Sequence, residues 1–287
     1  MRNKFGFAKE WMHFTRTFRF GGMLIGVFSM ALANPLLYKF LVSMMSWMEA
    51  EFGAGNLFSQ EELAEFESLS AMTMMFDNSG VVFSGTMMEL CGTALLITML
   101  LLMAPCGGEQ KKRATIIPLC SGLDYKDYLI PKFLLYPLTY FATNFVAACV
   151  AGFLCDAMFT ANKVGAGNIL LAAALCAVYT TFILSLYMAI GLCNSRPGVA
   201  TIIIYLGQNL VVLILASLGL TRFNPFTLYS LITGGITAEG FSLEKEMASV
   251  LVAVGLSIVI AVLMFFLTLA VLRAKRINNQ AEDKPEF

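Results

Sequence analysis

Residues 92–140 read "GTALLITMLLLMAPCGGEQKKRATIIPLCSGLDYKDYLIPKFLLYPLTY". An apolar run stops at Pro105, a polar stretch follows, and a second apolar run begins beyond Pro131. A chain that only had to turn back into lipid could do so in about five or six residues. This interruption is ~25 residues long, far above that loop length; it carries Lys111, Lys112, Arg113 and Lys126, and Lys132 follows directly on Pro131. Its length and charge therefore need a reason beyond connection.

The rest of the chain sets the solvent. Of 287 residues, 58% are hydrophobic and 13% are charged, about half the ~25% charge of a soluble domain. The mean hydropathy is +0.76. Too few polar side chains exist to cover a globule, and the apolar residues come in blocks, so the expected class is an all-α polytopic membrane protein. The formal charge is zero, so information lies in its distribution. The seven cysteines, 91, 106, 120, 149, 155, 176 and 193, form no CxxC pair and sit mostly inside apolar blocks, as small hydrophobes do. His13 is the sole histidine, which excludes HExxH and most histidine-based sites.

Apolar runs of about 20 residues place six spans near 21–43, 81–104, 132–158, 168–193, 199–219 and 248–272. With the N terminus inside, fifteen of the nineteen Lys and Arg residues fall on the inner side, and only Lys39, Lys163, Arg222 and Lys245 fall outside. The positive-inside rule then puts both termini and the quoted loop in the cytoplasm. The basic start, the run "GGMLIGVFSM" and "ALA" at 31–33 also resemble a signal peptide, but the apolar run continues through "PLLYKFLVSMMSW". Asn34-Pro35 within the first span is expected to kink it.

Residues 1–20 form a separate unit. At 100° per residue, Phe7, Trp11, Phe14 and Phe18 share one face and Arg2, Lys9, Arg16 and Arg19 the other, the pattern of an interfacial amphipathic helix. Residues 21–272 form the six-span domain and 273–287 a cytoplasmic tail. The external loop 44–80 holds seven acids and no Lys or Arg; Ser59 and Glu62 in "SQEE" have capping-box spacing, predicting a short helix. In the external loop 220–247, "NPFTLYSLITGG" is apolar, too short to span, and bounded by Asn224-Pro225 and Gly234-Gly235, which predicts a re-entrant or interfacial hairpin between spans five and six.

Within the cytoplasmic loop 105–131, Ser121 and Asp124 are spaced as N-cap and N3 of a short surface helix over "LDYKDYLI", and Pro131 suits the first turn of span three. A helix held on a cytoplasmic loop between two spans suits contact with another protein. The layout resembles the membrane permease of ABC type-2 exporters: six spans, an amphipathic helix before span one, and a coupling loop between spans two and three. Glu109, Thr115, "IIPL", Ser121-Gly122 and Lys132 follow the order of that loop, with Ala114 and Pro131 standing where the family favours glycine. The resemblance implies a second permease copy or homologue, and a separate ATPase subunit that binds ATP and Mg and docks on Glu109, Thr115, Ser121, Gly122, Asp124, Tyr125, Tyr128 and Lys132. The chain itself has no GxxxxGK[ST], so it would hold no cofactor and hydrolyse no ATP itself. The function that the resemblance implies is export of a peptide, lipid or drug across a bacterial cytoplasmic membrane, with no nucleic-acid partner.

The alternative is an ion-coupled secondary transporter using Glu89 in span two and Asp156 in span three, since intramembrane acids are functional candidates. Both are expected in the outer half, hydrated or paired. With Asn209, mid-span in span five, they are the candidate translocation-path residues; Gln208 and Asn209 are expected to hydrogen-bond between helices. Two intramembrane carboxylates could also serve an aspartyl protease, but neither lies in a Gly-x-Gly-Asp context. The methionines of "MMSWM" and "MTMM" could bind Cu(I), although methionine is also a common packing filler, so no metal site is assigned.

Overall fold

A computed structural model of the chain describes residues 2–52, 77–108, 124–194, 196–220, 222–237, 241 and 243–282, backbone only at 2–6, 49–52 and 275–282. All its elements are helical. Helix α1 is Arg2–Arg16 and α2 Arg19–Phe52. Helix α3 runs Ser79–Leu101 and contains a π-turn at Leu90–Ala94. Then come α4 (Tyr125–Met158), α5 (Ala166–Cys193), α6 (Pro197–Ser217), the short α7 (Thr227–Ser230) and α8 (Leu243–Glu282). Among the described residues the only extended pairing is an isolated bridge between Asn78 and Ala161.

Six helices, α2 to α6 and α8, are long and apolar enough to cross a membrane, matching the six predicted runs. Their burial is unequal. In its most apolar window α5 is 67% buried and forms the centre; α2, α6 and α8 are 22%, 17% and 17% buried and present Leu, Ile and Phe outward. Lipid, rather than water, suits such faces.

Small residues set the packing. Along α4, Ala147, Ala148, Ala151, Gly152 and Cys155 are buried, so backbones approach closely, as is typical of membrane helices. On α2, a Cβ at Gly26 would lie 2.8 Å from Ile97 Cγ2 of α3, so any larger residue there would displace the Ile97 side chain at the α2–α3 crossing.

One local expectation changes. Residues 125–130 do not form a separate helix: α4 begins at Tyr125, with Asp124 as N-cap, and continues through Pro131 and Pro137 to Met158. A proline removes one amide and crowds one carbonyl, which a packed 34-residue helix tolerates. On α1, Phe14 is fully buried while Phe7 and Trp11 remain substantially exposed, and Phe18 lies exposed in the link to α2 rather than on α1. Helix α2 runs unbroken through 31–33 and Pro35. Between α6 and α8, α7 and a π-turn at Leu231–Gly235 pack inward: Phe226 and Tyr229 sit 6.3 and 5.7 Å from the Tyr179 ring of α5, and Ser84 of α3 donates to the Thr233 carbonyl. The predicted helix at Ser59 lies outside the described residues.

Candidate functional site

The loop that opened the sequence reading lies, from Glu109 to Leu123, outside the described residues, and with it Glu109, Thr115, Ser121 and Gly122. Its two anchors are described. On the upstream side, α3 gives way to a π-turn at Ala104–Gly108. A Cβ on Gly107 would stand 2.8 Å from the Asn194 carbonyl oxygen and 2.9 Å from that of Gly191. The turn therefore rests directly on the backbone joining α5 to α6, and only glycine fits. On the downstream side, α4 starts at Tyr125 and brings Lys132 to the same level two turns later.

Lys132 is fully buried. Its Nζ donates to the Pro105 carbonyl at 2.8 Å, lies 3.6 Å from Glu10 Oε1 of α1, and stands 4.7 Å from the centre of the Tyr128 ring. The other Glu10 oxygen, Oε2, accepts from the Tyr136 hydroxyl at 2.9 Å. The Tyr136 ring, one turn beyond Lys132, meets Phe14 edge-on at 5.1 Å. Thus Glu10 and Phe14, one turn apart on α1, face Lys132 and Tyr136, one turn apart on α4, and the ammonium also holds the end of α3.

A buried ion left unpaired costs several kcal/mol, so each partner fixes the other's position. The cluster binds α1, the end of α3 and the start of α4 into one unit, and both anchors of the 109–123 loop belong to it. Sequence reading found Lys132 but missed Glu10 and Tyr136. The available signal was an acid at the border of the apolar face of an amphipathic helix, one turn before Phe14.

The expected docking aromatics are only partly available. Tyr125 and Tyr128 are half-buried against the core, and Tyr128 covers the Lys132 ammonium. Asp124 is half-exposed and pairs with Arg273 of α8 at 3.2 Å.

The candidate path residues are not brought together. Asp156, in the last turn of α4, accepts from Ser79 Oγ at 2.6 Å and from the backbone amides of Val164 and Gly165 at 2.9 and 3.0 Å. It pins the α4–α5 connection to the start of α3, where Asn78 caps the helix through Gly80 and Val81. Glu89 lies near the middle of α3, directly before the π-turn, and accepts from Thr93 within its own helix. Asn209 is exposed on α6 and donates to the Tyr205 carbonyl of its own helix at 2.9 Å, not to a neighbouring one. Beside the π-turn, Cys91 and Cys176 approach to 3.6 Å, and Asn144 donates to Thr180 at 2.7 Å; this interior contact joins α3, α4 and α5. Among the described residues no group of three or more His, Cys, Asp or Glu side chains could hold a metal ion.

Compared with known protein families, curated proteins and solved structures, the chain matches none.

Proposed function

We propose that this chain is the permease subunit of an ATP-driven exporter of the ABC type-2 kind, working with a separate ATPase and a second permease copy. The observation that carries the reading is the Glu10–Lys132–Pro105 cluster. A subunit that receives force from a partner needs a loop whose anchors move together with the spans. Here the buried ammonium ties both anchors of the 109–123 loop to α1, so a displacement of the loop is passed to α3 and α4 as a unit. The loop is the docking element, and the cytoplasm lies on its side of the bundle by the charge distribution. Helix α7 and its π-turn act as a re-entrant cover at the opposite face, supported by their packing on Tyr179, Phe182 and Ser84. The translocation path runs between two copies along the exposed faces of α2 and α6, where Asn209 offers a polar group. The exported substrate is a peptide, a lipid or a drug.

The test is affinity purification of the tagged chain from its own membrane, followed by ATPase and transport assays in vesicles. The reading expects an ATP-binding-cassette subunit to co-purify. Glu10→Gln with Lys132→Met should leave the chain inserted while hydrolysis continues with reduced transport. Transport driven by an ion gradient without ATP, with no ATPase partner recovered, would favour the ion-coupled alternative.

A further inference from the structure

Glu89 is a carboxylate in the middle of a span with no counter-ion. It lies about 15 Å along α3 from Ser79. Its Oε2 accepts from Thr93, one turn on in the same helix. Among the described residues Oε1 has no partner, and the ion pairs of the described Lys and Arg side chains involve other acids. An acid within a span is costly unless it is paired or serves a site.

The surroundings of Glu89 are open on one side. Met88 is 57% exposed, Glu89 is half-buried, and a Cβ on Gly92 would meet nothing within 4 Å. This open strip of α3 lies between α2 and α6. On the α2 side, the Tyr38 hydroxyl stands 3.8 Å from where a Cβ on Gly85 would be, one turn before Glu89. On the other side α6 runs antiparallel to α3, because Pro197 at its start lies 3.0 Å from a Cβ on Gly107, beyond the end of α3. Tyr205 and Asn209 then fall about 18 and 12 Å from the far end of α6, at the depth of Glu89. Helix α7 adds a third phenol. Ser84 of α3 donates to the Thr233 carbonyl, and the Thr233 hydroxyl donates to the Tyr229 carbonyl one turn back. The Tyr229 phenol is close enough to the Glu89 carboxylate and the Tyr205 phenol to feel both.

The described charge at this depth is a single negative one, which selects a cation. A metal ion is poorly served: hard cations take several oxygen ligands, and among the described residues no group of three or more His, Cys, Asp or Glu side chains could hold one. Phenol rings beside a carboxylate suit an organic cation, which is weakly hydrated and attracted to aromatic faces. We propose that Glu89 is the counter-ion of a lipophilic organic cation, bound on α3 between α2 and α6 with its apolar groups against Tyr205 and Tyr229. The site narrows the cargo of the exporter to that class; this last step rests on the exporter reading, and the binding does not.

The probe is tetraphenylphosphonium, and its control is tetraphenylborate, an anion of nearly the same shape. Protein-dependent binding of each is measured by equilibrium dialysis on the purified full-length chain in neutral detergent, with no ATPase present. Glu89→Gln keeps the shape and an acceptor for Thr93; it should weaken the cation about tenfold and leave the anion no weaker. Glu89→Asp keeps the charge and should stay within about threefold of the unsubstituted chain. Tyr205→Leu should cost about threefold, the share of one cation–π contact at a partly exposed position. Equal binding of the cation by the unsubstituted chain and Glu89→Gln overturns the proposal, as does a lack of saturable binding. Parallel loss of both ions in Glu89→Gln also overturns it, because Glu89 then supplies shape rather than charge. Displacement of the cation by a matching concentration of sodium overturns it too, by assigning the carboxylate to an inorganic ion. Failure in this assay strikes the site and leaves the exporter reading standing. Binding by a chain that recovers no ATPase partner keeps the site and strikes that reading.

Discussion

Helix α4 has a carboxylate at each end, and the two are held by different chemistry. Near its start, Glu10 arrives from α1 and meets a fully buried ammonium and a phenol. In its last turn, Asp156 meets a hydroxyl and two backbone amides at a partly exposed connection. The first arrangement joins segments distant in sequence: Glu10 and Tyr136 are 126 residues apart. The second includes bonds spanning eight and nine residues, which close a turn. A buried ion pair is a weak source of net stability but strongly penalises loss of one partner, so the start of α4 fixes relative position. Amides satisfied by a carboxylate stabilise local backbone, so the far end shapes the connection from α4 to α5. This difference is why the proposed coupling function rests on Glu10 and Lys132 and not on Asp156.

The largest expected effect tests the first half of that contrast. Lys132→Met removes the ammonium while leaving Glu10 buried, and should cost about 3–5 kcal/mol, read as a lowered unfolding midpoint in detergent. Adding Glu10→Gln should recover part of the loss, because the second change removes the stranded charge. Equal losses in single and double variants would show that the pair is not coupled and would break the contrast.

Next in size is Gly107→Ala. Its new Cβ would meet two carbonyl oxygens at 2.8 and 2.9 Å, and backbone cannot move aside as a flexible side chain can. Overpacking of this kind costs about 1–3 kcal/mol. The same thermal measurement should show the loss, and rapid proteolysis within 109–123 should accompany it, since the upstream anchor is displaced. Unchanged proteolysis with lowered stability would separate the turn from the loop it was taken to hold.

Asp156→Asn probes the far end. Asparagine keeps one acceptor oxygen of the two that Asp156 uses, and the charge-assisted character of three bonds is lost. About 1–2 kcal/mol should follow, with transport in vesicles retained. Abolished transport at undiminished ATP hydrolysis would make Asp156 part of an ion path and reverse the assignment of the two ends.

The six spans were legible because the signal for each is a long apolar window, which neighbouring residues carry on their own. The short α7 and its π-turn lie within "NPFTLYSLITGG", which reads as a segment too short to span; their packing against Tyr179 and Ser84 depends on partners that this stretch does not carry. The start of α4 was misjudged for a local reason. Pro131 reads as a helix opener, whereas the helix begins six residues earlier and carries the proline through. Lys132 was visible as a charge entering an apolar run, and through its place in the loop pattern. Glu10 was legible only as an acid at the border of the apolar face of α1, one turn before Phe14; its partners, Lys132 and Tyr136, are on α4 and more than 120 residues away. Asp156 was legible as an acid paired with polar neighbours, but the identity of those neighbours depends on the α4–α5 connection folding back onto Ser79.

The smallest effect concerns a second ion pair at the start of α4. Asp124 and Arg273 approach to 3.2 Å, but their side chains are 51% and 46% exposed. Water screens the attraction on both sides, and holding the long Arg273 side chain in place costs entropy, so such pairs contribute about 0–1 kcal/mol. Asp124 also makes no side-chain cap bond among the described residues, and Asp127 keeps an acid in the first turn, where the helix dipole favours one. Asp124→Asn should therefore shift the unfolding midpoint little, and less at high salt than at low salt, because a screened pair has less left to lose. The two pairs differ by burial far more than by distance, 3.2 Å against 3.6 Å. If Asp124→Asn proved as damaging as Lys132→Met, the tie at this end of α4 would run through α8 rather than α1, and the anchors of the loop would follow α8 instead.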